Sequence, residues 1–562
     1  MNNNKLIKLA VLAVVLAGIT ACKKQLNVGN PNAPTLQANV TDEAGITSLA
    51  QGSVYIDGFL NGDGWLGNSY FSLPYGYSEL LGDVVGSDVA NQQISGIALP
   101  WSVTYGGTAY PNPTSTTQTN LIRVYNTRGS TGAGNNATYY QWLNMYALNG
   151  SLNNVLSVID GIKFSSGDPV TKKNTLKAWC YWWKGYAYAS VGSMYYAGII
   201  NDGAYADNNN YKIKDSIIAR SNYYFSQAST ILSGITDVAD YSEVLGNLIP
   251  SFCQVGNGGV LTPAMWIRNI NTMLARNILV NKLSPFVNGN PAAVISKSST
   301  TAMTSSDWTS VLTLATAGIQ KGDYVFTGRS APANGFFSTG SGTISAMTTG
   351  PNSSTTFKIT ERFMANYQAN DKRLANDYST TVNHFHDSYN YGTRYSVVDG
   401  GNGAAGVYVI GNKSTDGAYE LFIAGSYEEN ALMLAEANIR MGNIETGLAY
   451  VDAVRAYQGA GVAATVGTEL NLAEAMQVLV SERRVALVFR GLSFYDSRRW
   501  GWTYDVSVGG GYYNGIILTP DDVVHTGVAI NYSFMDYWDI PADETVLNPP
   551  SSGSAAVVNP NY

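Results

Sequence analysis

Residues 481–501 read SERRVALVFRGLSFYDSRRWG, and they constrain the fold more than any other stretch of the chain. They run out of a helix predicted to start at Asn471, where Asn471 and Glu474 have the spacing of a capping box. Met476, Leu479, Val480, Arg483 and Leu487 then recur at helical spacing, which puts Arg483 on the apolar stripe of its own helix. A guanidinium there costs too much to desolvate alone, so it must be paired or well hydrogen-bonded. Glu482, Asp496, Arg498 and Arg499 are the nearby charges able to close such a network.

This block resembles the C-terminal signature of the SusD/RagB family: an Arg-rich helix, an aromatic-Gly turn, then Phe-Tyr-Asp and Arg-Arg-Trp-Gly. Glu482, Arg483, Arg484, Phe489, Gly491, Phe494, Tyr495, Asp496, Arg498, Arg499, Trp500 and Gly501 carry the match. The resemblance implies that these residues hold the fold and do not touch ligand. It also implies a mainly α fold, with about four tetratricopeptide-like helix hairpins packed on an irregular, loop-rich subregion containing little β. Asp371-Lys372-Arg373-Leu374 is similar to a mid-chain Asp-Pro-Arg-Leu element, with Lys372 where Pro is common, and 540–562 resembles the usual C-terminal tail. Members are surface lipoproteins of Bacteroidetes that capture nutrients, usually glycans. The implied partner is a SusC-like TonB-dependent barrel, over which the lipoprotein sits as a lid.

At the other end, Lys5 and Lys8 precede an apolar run from Leu9 to Ala21. That run is short of the ~20 residues a membrane-spanning helix needs and has the layout of a secretory signal peptide. It ends Ile19-Thr20-Ala21-Cys22, close to a bacterial lipobox, so Cys22 is the expected lipidation site. A lipid anchor binds membrane strongly because each buried methylene adds ~0.8 kcal/mol. Lys23-Lys24-Gln25 departs from the acidic residues that often follow the lipid cysteine in surface-exported relatives. The expected organisation is a signal peptide over 1–21, a tether over 22–35 and one domain over 36–562. An outer-membrane location facing the exterior follows from that reading.

The 562 residues carry 33 basic and 40 acidic side chains, a net charge of −7, and no basic run marks a nucleic-acid footprint. Charged residues are only 13% of the chain, whereas there are 38 Tyr and 58 Gly. A Tyr/Asn/Gly-rich, weakly charged surface suits neutral, hydroxyl-rich ligands. Beyond Cys22 only Cys180 and Cys253 remain, and spacing alone leaves a disulfide between them open.

Helical patterns are expected over 139–161, 171–197, 216–235, 263–282 and 306–321. Ala435-Glu436-Ala437, Met441-Gly442-Asn443, Gly447-Leu448, Val451 and Val454-Arg455 have the spacing of a repeat hairpin, with Ala435 and Gly447 small enough for close helix approach. The repeats fall mainly within 139–322 and 427–500. Aromatics at helical spacing are usually core, so Trp179, Trp182, Trp183, Trp266 and Trp308 are assigned structural roles. Stretches 101–138, 325–356 and 383–418 read as long Gly/Ser/Thr/Asn-rich loops, which commonly carry binding.

No catalytic constellation stands out. His384 and His386 could form half a metal site on a strand, but no partner cluster supports it, and two histidines on a loop is the blander alternative. Glu79, Asp83 and Asp88 are close in sequence, yet a glycosidase needs a matched acid/base pair across a sugar site. The Gly-rich stretches lack the Gly-Lys-Ser/Thr ending of a phosphate loop. Binding without turnover is therefore expected, with no cofactor and no metal.

A sugar site needs aromatic platforms plus hydrogen-bonding polar groups. The resemblance points to two loop regions, within 60–138 and 323–420. The first holds Trp65, Tyr70, Phe71, Tyr75, Tyr77, Asp83, Asp88, Asn91, Trp101, Tyr105 and Tyr110; the second holds Tyr324, Phe326, Arg329, Phe336 and Phe337. The expected platforms are Trp65, Tyr75, Trp101, Tyr105 and Phe337, with Asp88, Asn91 and Arg329 as polar partners. Burial of ~100 Å² of sugar C–H surface at ~25 cal/mol/Å² gives ~2.5 kcal/mol per platform, a modest binder once association costs are met. Peptide cargo is the main alternative, with an extracellular glycosidase or a purely structural surface protein behind it.

Overall fold

The computed structural model describes residues 40–55, 78–87, 96–97, 99–112, 116–127, 137–284, 294–328, 357–386, 392–398, 400–401 and 420–562. Its helices are α1 (Glu43–Tyr55), α2 (Gln118–Tyr125), α3 (Ala137–Val158), α4 (Pro169–Met194), α5 (Lys214–Ser233), α6 (Val238–Leu248), α7 (Pro263–Val280), α8 (Ser305–Thr316), α9 (Tyr427–Arg440), α10 (Ile444–Tyr457), α11 (Leu472–Ala486) and α12 (Ser493–Arg499), besides shorter turns. Consecutive helices pack as hairpins, α3 on α4, α4 on α5, α7 on α8, and α9 on α10 and α11. The fold is mainly α, as the resemblance implied.

Helix α4 is the hub. Asp168 caps it by accepting from the N–H groups of Val170 and Thr171, and Pro169 occupies the first turn, where a missing N–H does no harm. Its apolar residues run round the whole helix because α3, α5, α6, α7 and α1 all lie against it. Trp179, Trp182 and Trp183 are fully buried, and Trp266 of α7 and Phe326 meet them edge-on or tilted at centroid distances of 4.6–6.4 Å. Gly185 permits this packing, since a Cβ there would lie 2.7 Å from the ring of Phe225. Cys180 and Cys253 are both buried free thiols, which settles the disulfide question.

The repeat hairpin read from 435–455 is α9 and α10. A Cβ on Gly447 would come within 2.6 Å of the Ala435 carbonyl oxygen, so glycine sets that close approach. Helix α11 begins as expected: Asn471 accepts from Ala473 and Glu474 N–H at 2.9 and 3.1 Å, and Glu474 accepts from Asn471 N–H at 2.9 Å.

The stretch read as loop over 101–138 departs from expectation. It contains strands β1 (Ser102–Tyr105) and β2 (Thr108–Pro111) and then helix α2. These strands join β3 (Tyr512–Leu518) and β4 (Val524–Asn531) in an antiparallel sheet of order β3-β4-β1-β2. Gly106 and Gly107, both at positive φ, form the β1–β2 turn, which matches the backbone twist of a two-residue hairpin. The 383–418 stretch likewise begins inside a hairpin of Tyr378–His386 with Gly392–Val397.

Candidate functional site: an aromatic platform and a buried arginine frame

The signature residues form a frame under the surface. Arg483 donates Nε–H to Asp496 at 2.7 Å, and Arg499 reaches the other oxygen of Asp496 at 2.7 Å. Arg499 then grips both oxygens of Glu436 in α9, at 2.7 Å each. Burial alone would raise the Asp496 and Glu436 carboxyls, but the guanidinium charges of Arg483 and Arg499 hold both below the usual carboxylate range. Among the described residues Arg498 makes no ion pair; it donates to the carbonyls of Ser193, Val280 and Asp536, binding α4, α7 and the C-terminal segment together. Arg484 donates to the Gly82 and Asp83 carbonyls. Glu482 takes Arg373 and Arg455, and Asp371 holds Arg373 from the other side, which explains the 371–374 element. Gly491 at φ +71° makes the turn into α12, Phe494 stacks on Trp538, and Trp500 is buried.

The expected carboxylate trio is not a hydrolytic pair. Asp83 is held by Arg362 at 2.8 and 2.9 Å, and Glu79 is fully buried and accepts from Ser493. Asp88 lies outside the described residues.

The sheet carries an aromatic platform at the tips of its two hairpins. Val103 lies opposite Tyr110 in the β1–β2 pairing, so Tyr105, Val103 and Tyr110 share a face. The Tyr105 and Tyr110 rings stack with centroids 4.4 Å apart and planes 16° apart, and Tyr110 stays exposed. The His525 ring from β4 lies 4.3 Å from Tyr105. Simple alternation from Ile530, opposite Val103, would put His525 on the other face. Gly527, at φ +65°, adds one residue between the Gly515–Val528 and Ile516–Thr526 pairs, and this bulge turns His525 onto the Tyr105 face. His525 therefore joins a site in which no sequence pattern had placed it; the Gly two residues after it was the available signal.

Polar groups border the rings. Desolvation, with Tyr110 and Asp521 beside it, pushes the Tyr105 hydroxyl pKa up and keeps it a donor. A hydrogen bond from Thr519 holds Asp521 below the usual range, so it remains an ionised acceptor next to His525. Trp101 precedes β1, is half-buried and bonds through its backbone to Asn531 and Asn112, with no ring contact to Tyr105 among the described residues. Trp65, Tyr70, Phe71, Tyr75, Tyr77, Asn91, Arg329, Phe336, Phe337 and Cys22 lie outside the described residues. Phe326, one of the aromatics of the second loop region, is a core residue, wedged among the α4 tryptophans. Tyr324 is exposed, its ring lying over Gly259. His384 and His386 fall on a strand, and among the described residues no group of three or more His, Cys, Asp or Glu could hold a metal.

Residues 427–551, from the first residue of α9 to the segment after β4, match the model of the SusD family. That match contains the 481–501 block and bears out its resemblance to the SusD/RagB family. The fold of the chain is that of solved SusD-like proteins. A SusD-like protein from Bacteroides fragilis shares 13% identity with a TM-score of 0.55, over 93% of this chain and 98% of that one. A SusD superfamily protein from the same species shares 12% at 0.52, over 92% and 100%. A third structure, solved with a xylogluco-oligosaccharide, shares 12% at 0.52, over 91% and 99%. No curated protein matches the chain in sequence.

Proposed function

We propose that this SusD-family chain captures an oligosaccharide at the cell surface and hands it to a SusC-like TonB-dependent barrel, without turnover. The observation that carries the reading is the Tyr105–Tyr110–His525 platform. With Tyr105 held between Tyr110 and His525, the exposed Tyr110 ring offers a free face to the apolar C–H side of a pyranose, while the Tyr105 hydroxyl and Asp521 serve its hydroxyl edge. A protein of like fold solved with a xylogluco-oligosaccharide supports the same ligand class. Engagement of Glu79 and Asp83 in structural contacts favours binding over hydrolysis.

In this reading Cys22 carries the lipid anchor, 22–35 is the tether, and residues 36–562 form one domain in the outer membrane facing outward. Among the described residues no helix is long and apolar enough to cross a membrane. Trp65, Tyr75, Trp101, Asp88, Asn91, Arg329 and Phe337 remain proposed ligand contacts. A glycan array with the purified protein tests capture, and purification from the native membrane tests the partner. Binding to one polysaccharide class and co-purification of a barrel are the expected results; a folded protein that binds no glycan contradicts the reading.

Peptide cargo is the second reading, favoured by one feature. Strand β2 is exposed along its whole length and is an edge of the sheet, where an extended peptide could add a strand. Binding of unstructured peptides in place of glycans is the result that would select it.

A further inference from the structure

A cleft of about 640 Å³ opens between α5, the end of α7, the segment 298–301 and Asn561. Its volume falls within the ~300–1,000 Å³ of sites for drug-sized ligands, which is room for a disaccharide. Asp215, Ile218 and Asn222 line it from α5 at helical spacing, so they share one face. Asn277, Ile278, Asn281 and Lys282 line it from α7 and the two residues that follow. The third wall is fixed in place. Asp536 accepts from the Ser299 N–H at 2.7 Å and from its hydroxyl at 2.9 Å, Thr300 donates to the Asn281 carbonyl, and the Thr301 carbonyl accepts from the Leu283 N–H at 2.9 Å. The cleft is therefore built before a ligand arrives.

The polar lining has groups left to offer. Asn277 is only 2% exposed and donates through its amide to Ser221 Oγ at 3.1 Å and to Asn222 Oδ1 at 2.8 Å. Its own Oδ1 accepts from nothing among the described residues, yet it is not sealed from solvent. Asn222, whose Oδ1 is taken, keeps its amide N–H groups to donate. The Thr301 hydroxyl and the second oxygen of Asp215 also have no protein partner among the described residues. A hydroxyl both donates and accepts, so a ring edged with hydroxyls satisfies such a set, whereas an apolar guest leaves it unmet. Ile218, Ile278 and the Tyr196 ring, all half-buried, supply apolar surface for the C–H face of such a ring.

Charge along the cleft is matched. Asp215 pairs with Lys214 at 2.8 Å and Asp307 with Lys282 at 2.7 Å. Thr304 donates its N–H and hydroxyl to the other oxygen of Asp307, at 2.8 and 2.7 Å. An ionic guest would give up water without gaining an uncommitted counter-charge, so a neutral guest is favoured. Two of the walls are helices, whose backbone groups are spent on their own ladders. The cleft thus offers side chains to a ligand and no strand edge for a peptide to pair with.

We propose that this cleft binds a neutral disaccharide, at a site that shares no residue with the Tyr105 platform. Neighbouring hydroxyls of the sugar meet Asn222, Asn277 and Thr301, and the C–H face of one ring lies on Ile218 and Ile278. The inference stands on this cleft alone and does not require glycan capture at the platform.

Calorimetric titration with maltose, cellobiose and xylobiose tests it, in wild type and in Tyr105→Ala, where the platform is disabled. Saturable binding of at least one of the three is expected in both proteins. Cellobiouronic acid and the chitosan dimer, which put a carboxylate or ammonium groups on the cellobiose frame, should bind no tighter than the neutral sugars. Thr301 is exposed, so its substitution does not put folding at stake. Thr301→Trp should abolish binding by filling the cleft, and Thr301→Ala should weaken it roughly two- to tenfold, the worth of one neutral hydrogen bond. Absence of saturable binding of all three sugars, tighter binding of a charged disaccharide or of trialanine, or indifference to Thr301→Trp would overturn the proposal. Binding that is lost in Tyr105→Ala belongs to the platform and would also overturn it, leaving glycan capture standing. Binding that survives Tyr105→Ala and is lost with Thr301→Trp supports this site whatever becomes of the platform.

Discussion

Arg499 and Glu436 meet in a two-pronged ion pair, both N–O distances 2.7 Å, that joins α12 to α9 with neither side chain exposed. A buried pair of this kind is a weak source of net stability but a severe liability when halved, because the surviving charge is left in the core. Glu436→Gln or Arg499→Met should each cost about 3–5 kcal/mol in urea unfolding. The double variant Glu436→Leu/Arg499→Met should recover part of that loss, and a double variant no better than the singles would contradict this account.

Glu79 offers a pH test. Burial pushes its carboxyl up to about 7 despite the hydrogen bond from Ser493. The folded state thus holds a proton between pH 4.5 and about 7 that the unfolded chain has released. That contribution to stability is full below 4.5 and is lost as pH rises through about 7. Glu79→Gln cancels it, so wild type minus variant should fall by on the order of 1–3 kcal/mol between pH 5 and 7.5. Parallel urea midpoints across that range would rule it out.

Lys184, buried among Asn149, Asn153, Asp202 and the rings of Tyr188 and Tyr224, has its pKa drawn down to about 8 by desolvation. Here the unfolded chain binds the extra proton, between about 8 and 10.5. Stability should therefore rise over that window in wild type relative to Lys184→Met. Thermal unfolding at pH 7.5 and 9.5 reads the difference, and a wild type that loses ground to the variant contradicts it.

Gly527 tests the bulge. A Cβ there meets nothing within 4 Å, so any cost of substitution is conformational. Gly527→Val should destabilise by ~1–2 kcal/mol and Gly527→Asn by less, because Asn tolerates the left-handed region. If the bulge aims His525, the Val variant should also weaken glycan binding, and its His525 ring resonance should lose the shift imposed by Tyr105. Full binding by a Val variant with a displaced His525 would remove His525 from the site.

The frame was far more legible in the sequence than the platform. Arg483 stood out because a charge on an apolar stripe demands a partner, and Asp496 proved to be that partner. The Asn471–Glu474 cap and the Gly447 approach are local chemistry, readable from short spacing. Arg498 was only half legible: its charge was visible, but its carbonyl acceptors lie on α4, α7 and the tail, far apart in sequence. The 101–111 strands hid in a Gly/Thr-rich stretch because their partner β4 lies some 420 residues away, beyond any local pattern. His525 reached the platform only through a one-residue register shift, which alternation cannot anticipate.

The central claim is that Tyr105 and its neighbours hold a sugar ring. Calorimetry with the polysaccharide class found by array, comparing wild type with Tyr105→Ala, tests it most directly. Loss of the central ring, against which Tyr110 and His525 are held, should weaken binding by ~1.5–2.5 kcal/mol, at least roughly tenfold in Kd, with the unfolding midpoint little changed. Unaltered affinity in a folded Tyr105→Ala protein would contradict the account.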